Sequence, residues 1–141
     1  MDITERFLNY TKFDTQSQED SDHVPSTEKQ LLFANYLKKE LENEGLSDVE
    51  MDDKGYIYAT LKANVKGDIP TIGFISHYDT SPDCSGADIK AHIVNNYDGR
   101  DILLSEGIFS SPKKFPELLK HIGEDLISLD RKSGAAGMPR P

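Results

Sequence analysis

The chain has 141 residues, which is enough for one domain with a hydrophobic core and too short for two large domains. Aspartate and glutamate number 25 against 16 lysines and arginines, and the formal charge of −9 argues against partners that carry nucleic-acid phosphates or anionic lipid headgroups. No apolar stretch is long enough to span a bilayer, and the N-terminus lacks a signal pattern. The single cysteine, Cys84, cannot form an internal disulfide, so we expect a cytoplasmic protein.

The first part of the chain is predicted to form two helices separated by a polar loop. Apolar residues recur at helical spacing over residues 3–11, whereas residues 15–26 are poor in apolar side chains. Thr27 and Gln30 have the spacing of a capping box, and Gly45 is a typical helix end. The apolar stripe of this second helix is predicted to consist of Ala34, Leu37 and Leu41.

The rest of the chain is predicted to contain mainly strands. Residues 57–61 alternate apolar and polar side chains, as a half-buried strand does. Residues 71–75 are a short apolar run after Pro70, which is typical of a central parallel strand, although periodicity alone does not exclude a buried helical turn. The remaining predicted elements are a strand at 89–94, a turn at 98–99, a strand at 102–104 and a short helix at 118–122. This order predicts an α/β fold with helices on both faces of a mostly parallel sheet.

His77 and Asp79 are the main candidates for a functional site. They follow the predicted central strand, and the loop after a parallel strand usually lines the ligand crevice of an α/β sheet. Residues two apart in an extended chain point the same way, so both side chains are expected to face one site. An imidazole is a suitable zinc ligand, and a nearby carboxylate can orient it. Taken alone, however, His-x-Asp is a common pair, and most such pairs have no metal role.

Other polar residues have simpler interpretations. Cys84 has no histidine near it in sequence that would favour a thiolate, so a small packing residue is the expectation. Asp83 is expected to shape its loop. His23 lies in a polar loop, His92 on a predicted strand surface and His121 at a predicted helix end, where its charge favours the helix dipole.

A longer stretch around the candidate pair resembles a known family. The sequence GFISHYDTSPDCSG at residues 73–86 is similar to the first metal-site motif of the peptidase T family of tripeptide aminopeptidases. Further segments resemble the same family, namely residues 5–10, 14–17, 24–28, 59–64, 67–70, 93–97, 104–105 and 125–127. The resemblance therefore covers the chain from its start to about Asp130.

The resemblance implies a fold and a chemistry. It implies a three-layer α/β/α zinc-peptidase-like catalytic domain, two zinc ions and removal of the N-terminal residue from tripeptides by metal-assisted hydrolysis. By position, His77 is similar to a ligand of one metal, and Asp79 to the catalytic aspartate that orients this histidine. The general base of the family is a glutamate from a Glu-Glu pair further along the chain. A bridging aspartate belongs to a segment whose counterpart is expected near Met138.

The resemblance ends before most of these residues. Residues 1–130 are expected to be the N-terminal part of the catalytic domain, and residues 131–141 a divergent, disordered tail rich in glycine, proline and alanine. A chain cut before most ligands and the base is expected to bind zinc weakly and to be inactive alone. The alternative is a non-catalytic remnant or interaction module that keeps only the first layers of the family fold.

Overall fold

The computed structural model of the protein describes residues 1–130 and has the predicted α/β composition. One unit consists of residues Phe13–Pro82, and the other of Met1–Lys12 with the residues from Asp83 onward. The described elements in chain order are α1 (Ile3–Tyr10), α2 (Lys29–Asn43), β1 (Ser47–Met51), β2 (Ile57–Thr60), β3 (Ala91–Val94), β4 (Ile102–Ser105), β5 (Ile108–Ser110), a 3-10 helix (Pro116–His121) and β6 (Leu126–Leu129).

Helix α1 forms where the apolar spacing predicts it, and local side chains close both of its ends. The Asp2 carboxylate accepts a hydrogen bond from the Glu5 amide at 2.8 Å, and the Asp2 amide donates to Oε2 of Glu5 at 3.3 Å. This reciprocal pair is a capping box, which satisfies amides that have no partner within the helix. At the other end, the Thr11 hydroxyl donates to the Leu8 carbonyl at 3.0 Å.

Helix α2 supplies buried side chains to the unit Phe13–Pro82. It packs against β1 and β2, and its residues Gln30, Phe33 and Ala34 are buried. The predicted stripe is confirmed in part, because Ala34 is buried whereas Leu37 and Leu41 are only half-buried. Phe33 was not in the predicted stripe, yet it is the large apolar side chain that α2 buries.

The prediction for the start of α2 is wrong, and the prediction for its end is confirmed. The predicted capping box is wrong, because the N-cap is Glu28, which makes no side-chain capping bond. The Thr27 hydroxyl instead donates to the Gln16 carbonyl at 2.9 Å, so it joins the helix start to the preceding loop. The predicted helix end is confirmed, since Gly45 has a φ of +81° and its amide donates to the Glu42 carbonyl at 3.0 Å.

Strands β1 and β2 form an antiparallel hairpin in the same unit. Met51 lies opposite Ile57, and Glu50 lies opposite Tyr58. The predicted strand at 57–61 is confirmed as β2, but its predicted half-burial is wrong, because its residues after Ile57 are exposed. Strand β1 was not predicted, since its sequence is mostly polar.

The other unit contains two further antiparallel pairs. Strand β3 pairs with β6, with Ala91 opposite Leu129, and β4 forms a hairpin with β5. The strands predicted at 89–94 and 102–104 are confirmed as β3 and β4, and the short helix predicted at 118–122 is confirmed as the 3-10 helix. The predicted turn at 98–99 lies between β3 and β4, but these strands do not pair with each other.

Tyr97 lies at the buried centre of this second unit. It is only 2% exposed, and its hydroxyl donates to the Arg100 carbonyl at 2.7 Å. Its backbone amide donates to the Glu124 carbonyl at 2.8 Å, and its carbonyl accepts from the Gly123 amide at 2.8 Å. Tyr97 therefore joins the end of β3 to the turn that precedes β6.

The prediction of a buried central strand at residues 71–75 is wrong in this structure. The segment belongs to no strand, and the side chains of Phe74 and Ile75 are 94% and 101% exposed. A parallel strand is buried only when neighbouring strands pair with it and helices cover its faces. The sheets of the described chain are antiparallel pairs, with parallel pairing only as an isolated bridge between Gln16 and Thr80. The apolar run therefore has no parallel sheet to enter here, and the three-layer architecture stays a prediction.

Two further expectations concern the C-terminal residues and membrane-spanning helices. The tail predicted at residues 131–141 lies outside the described residues, as does the expected position of a bridging aspartate near Met138. Within residues 1–130, no helix combines the length and the apolar character needed to cross a bilayer.

Candidate functional site

His77 and Asp79, which the sequence places two residues apart, lie in direct contact. Nδ1 of His77 is 3.0 Å from Oδ1 of Asp79 and 3.1 Å from the Asp79 carbonyl oxygen. The His77 side chain is 80% exposed and the Asp79 side chain 44% exposed. Because Nδ1 faces two oxygen acceptors, the tautomer that carries its proton on Nδ1 suits this geometry. Nε2 is then left with a lone pair that is free to bind a ligand from solvent.

The segment that carries this pair is fixed on its C-terminal side by a loop near the start of the unit. The Thr80 amide donates to the Thr15 carbonyl at 3.0 Å, and the Thr80 carbonyl accepts from the Ser17 amide at 2.9 Å. The Ser17 hydroxyl donates to the same carbonyl at 2.7 Å. The Gln16 side chain donates to the Pro82 carbonyl at 2.9 Å. The chain after the candidate pair is therefore held by several hydrogen bonds from distant sequence.

Tyr78 lies between the two candidate residues, and sequence reasoning did not identify it. Its hydroxyl donates to the Gly55 carbonyl at 3.1 Å, and its ring meets Phe33 edge-on with 6.0 Å between centroids. Burial raises the pKa of Tyr78, and the negative charges of Asp79 and Asp52 raise it further. The phenol therefore stays protonated at neutral pH and remains a hydrogen-bond donor. Alternation along an extended chain was the available signal, because it directs the middle residue of His-x-Asp away from its neighbours.

The residues present fit one ligand position of a metal site but not a complete site. Within the described chain, no group of three histidine, cysteine or acidic side chains is placed to hold a metal ion. Structural and catalytic zinc sites generally use three or four protein donors. Nε2 of His77, with Asp79 behind the ring, provides one such donor. The further ligands of a zinc site would have to come from outside residues 1–130.

The other residues considered in the sequence have local surroundings that do not require a metal. Nε2 of His92 lies 3.2 Å from the Leu103 carbonyl, and Nδ1 of His121 lies 2.8 Å from Oε2 of Glu124. His23 is exposed in its loop, and the thiol of Cys84 is half-buried and not in a disulfide.

Comparison with known proteins gives several close relatives. The chain is 53% identical over 131 residues to a protein named peptidase T from Clostridium acetobutylicum, a match that covers 92% of this chain and 32% of the relative. It is 54% identical over 130 residues to peptidase T of Caldanaerobacter subterraneus subsp. tengcongensis, and 50% identical over 131 residues to that of Clostridium botulinum strain Loch Maree. These two matches cover 91% and 92% of this chain and 32% of each relative. No protein-family profile matches the sequence. The chain thus spans 32% of the length of the curated relatives it matches.

Proposed function

Because this chain corresponds in sequence to the N-terminal part of peptidase T, we propose that it forms the first part of a tripeptide aminopeptidase. The enzyme would remove the N-terminal residue of tripeptides in the cytoplasm by metal-assisted hydrolysis. The observation that carries this proposal is the contact of 3.0 Å between Nδ1 of His77 and Oδ1 of Asp79, within a matched region that is 50%, 53% or 54% identical to these relatives.

The two residues have different roles in this proposal. His77 binds a metal ion through Nε2, because its other nitrogen is turned toward Asp79. Asp79 accepts the hydrogen bond from Nδ1, which fixes the tautomer and the ring orientation and raises the basicity of Nε2. The high exposure of the imidazole leaves room for a metal ion and for ligands from other parts of the polypeptide.

The complete site needs groups that the described residues do not provide. Two zinc ions are the expected cofactors, and when bound they would polarise the peptide carbonyl and make water nucleophilic near neutral pH. The general base, the bridging carboxylate and the remaining ligands would come from the part of the relatives that this chain does not match. The same part would supply the strands that turn residues 71–75 into a central strand of a three-layer α/β/α domain.

A graft onto a complete relative tests this function. Residues 1–130 of this chain would replace the matched part of the Clostridium acetobutylicum peptidase T, and release of the N-terminal residue from a tripeptide would be measured with added zinc. We expect chelator-sensitive turnover by the graft and none by residues 1–141 alone. In the graft, we expect Asp79→Asn to lower kcat/KM by about 10- to 100-fold, the usual cost of losing a carboxylate behind a metal-binding histidine. His77→Ala should cost more, because it removes a ligand.

Matched controls distinguish the site from general damage. His23→Ala and Asp53→Asn remove the same chemical groups from exposed positions of the same unit, and they should leave turnover unchanged. A folded graft that binds zinc but is equally active with and without Asp79→Asn would contradict the assigned role of this residue.

One observation favours a second candidate function, a non-catalytic interaction module. The exposed apolar side chains at residues 71–75 are an unusual surface for a chain that acts alone. A folded graft without any tripeptide hydrolysis would favour this alternative over the peptidase. Clear chelator-sensitive turnover by residues 1–141 alone would contradict both the expected inactivity of this chain and the interaction module.

A further inference from the structure

The candidate pair lacks structural support on its N-terminal side, whereas hydrogen bonds at Thr80 and Pro82 hold the chain after it. Residues 61–77 are exposed along their whole length and belong to no helix or strand. The first side chain after them that packs into the unit is that of Tyr78, through Gly55 and Phe33. His77 therefore lies at the end of an unsupported segment, immediately before an anchored residue.

The acceptor of the Tyr78 hydroxyl is itself held in a well-bonded turn between β1 and β2. The Asp52 carboxylate accepts from the Lys54 amide at 3.0 Å and from the Tyr56 amide at 2.9 Å. The Asp52 amide donates to the Tyr56 carbonyl at 3.0 Å, and the Gly55 amide donates to the Asp52 carbonyl at 3.2 Å. These four bonds fix the direction of the Gly55 carbonyl to which Tyr78 donates.

Position 55 is compatible with glycine alone. Its φ is +85°, in the left-handed region that side chains disfavour. A Cβ at this position would lie 2.7 Å from the Tyr78 hydroxyl oxygen and 3.1 Å from Cδ2 of Leu31. A side chain at position 55 would therefore displace the Tyr78 hydroxyl from its acceptor.

The ring of Tyr78 rests on a buried aromatic group. Phe33 is 5% exposed, and its centroid lies 4.9 Å from that of Phe13 and 6.0 Å from that of Tyr78. Tilted and edge-on ring pairs at these distances are favourable arrangements. Tyr78 is thus held at both its ring and its hydroxyl.

We propose that Tyr78 is a positioning residue that holds His77 and Asp79 together for metal binding, with the Gly55 carbonyl as its fixed acceptor. Side chains alternate along an extended chain, so anchoring the middle residue on one side fixes its two neighbours on the other side. The role in metal binding rests on the proposed peptidase function, whereas the control of the His77–Asp79 contact does not.

Nuclear magnetic resonance of the 141-residue chain tests the contact directly. The ring-nitrogen spectrum of ¹⁵N-labelled His77 at alkaline pH reports which nitrogen carries the proton, and the partner of Nδ1 determines this tautomer. We expect mainly the Nδ1–H form in the parent chain. In Tyr78→Phe and in Gly55→Ala, we expect the ratio of the two His77 tautomers to change to the ratio found for His77 in a short unstructured peptide of the same sequence.

Tyr58→Phe is the matched control, since it removes the same hydroxyl from an exposed tyrosine on β2 of the same unit. This variant should leave the His77 tautomer unchanged. An unchanged tautomer in both Tyr78→Phe and Gly55→Ala would overturn the proposal. Loss of amide dispersion across the whole spectrum of Tyr78→Phe would also overturn it, because Tyr78 would then be a general stabilising residue.

Turnover by the graft separates this proposal from the proposed function. A misplacement of about 1 Å in a catalytic site can cost on the order of 100-fold in rate, so we expect Tyr78→Phe to lower kcat by about 10- to 100-fold with little change in KM. If Tyr78→Phe keeps the parent tautomer and the parent turnover while Asp79→Asn loses activity, the positioning role of Tyr78 is refuted. The proposed peptidase function would still stand. If the His77 tautomer depends on Tyr78 but the graft is inactive, the result would support the control of the His77–Asp79 contact by Tyr78. It would count against the proposed peptidase function.

Discussion

At the residue scale, two tyrosines, the half-buried Tyr78 and the buried Tyr97, have a hydroxyl that donates to a backbone carbonyl. Tyr78 donates to the Gly55 carbonyl at 3.1 Å, and Tyr97 donates to the Arg100 carbonyl at 2.7 Å. Burial raises the pKa of both phenols, and the negative charges of neighbouring aspartates add to this effect. Each phenol is therefore neutral in the folded chain over a range of pH in which an exposed tyrosine ionises.

These pKa shifts predict a loss of stability at alkaline pH. Between the ordinary tyrosine pKa of about 10 and the raised value, the folded state holds a proton that the unfolded state has released. The stabilisation is therefore complete below pH 10 and decreases as the pH rises through the raised pKa. Denaturant unfolding measured from about pH 8 to 11 should show a free energy of unfolding that falls above about pH 10 in the parent chain, and this fall should be shallower in Tyr78→Phe and in Tyr97→Phe.

Tyr58→Phe is the control for this experiment, because Tyr58 is 58% exposed. It should leave the slope of the unfolding free energy with pH unchanged. A parent slope that persists in the variant lacking both Tyr78 and Tyr97 hydroxyls would show that other groups govern the alkaline unfolding.

At the scale of elements, helix α2 is held to its unit by an aromatic group centred on Phe33. The Phe33 ring lies 4.9 Å from Phe13, 6.2 Å from Tyr36 and 6.0 Å from Tyr78, measured between centroids. Phe13 also lies 4.9 Å from Tyr36. One buried side chain therefore connects the helix to the loop before it and to the candidate site.

Removing this side chain should destabilise the unit more than any change on the exposed face of α2. We expect Phe33→Ala to lower the free energy of unfolding by about 3–5 kcal/mol, because it deletes a buried ring and leaves a cavity. Leu32→Ala is the matched control, since Leu32 is 68% exposed on the same helix, and it should cost at most about 0.5 kcal/mol. Equal effects of the two variants in denaturant unfolding would show that the aromatic group does not stabilise the unit.

The elements predicted from the sequence are those that have periodic apolar residues or a local signal for their ends. Helices α1 and α2 have helical apolar spacing, and Gly45 ends α2 as expected. Strands β1, β5 and β6 were missed, because pairing with another strand stabilises them rather than any apolar alternation of their own. The capping role of Thr27 was wrong because a distant acceptor, the Gln16 carbonyl, takes its hydroxyl.

The candidate site was predictable to a similar extent. The spacing of His77 and Asp79 was enough to predict that their side chains face the same way, and the structure brings them into contact. The contacts that hold them were not predictable, because the partners of Tyr78 and Thr80 lie 23 and about 65 residues away in sequence. Which residues are brought together over such distances depends on the folded chain and not on local pattern.

At the scale of the whole molecule, the main unexplained surface is the apolar run at residues 71–75. Ile72, Phe74 and Ile75 are 73%, 94% and 101% exposed, although their sequence is typical of a buried strand. The chain spans 32% of its curated relatives, so the remaining part of those proteins is available to supply neighbouring strands. We therefore propose that this run becomes a strand when the remaining part of such a relative is present.

This interpretation predicts that one substitution has different costs in two contexts. Phe74→Asp should change the free energy of unfolding of the 141-residue chain by less than about 0.5 kcal/mol, because the ring is already exposed there. In the graft onto the Clostridium acetobutylicum peptidase T, the same change should cost at least about 3 kcal/mol, because it places an unpaired charge in a packed core.

Amide hydrogen exchange at residues 71–75 should likewise be fast in the short chain and slow in the graft, since strand pairing protects backbone amides. Phe109→Asp is the control, as Phe109 is 54% exposed on β5 and outside the run. A cost for Phe74→Asp that is small in both proteins, with fast exchange at residues 71–75 in the graft, would show that this segment remains a surface loop in the graft.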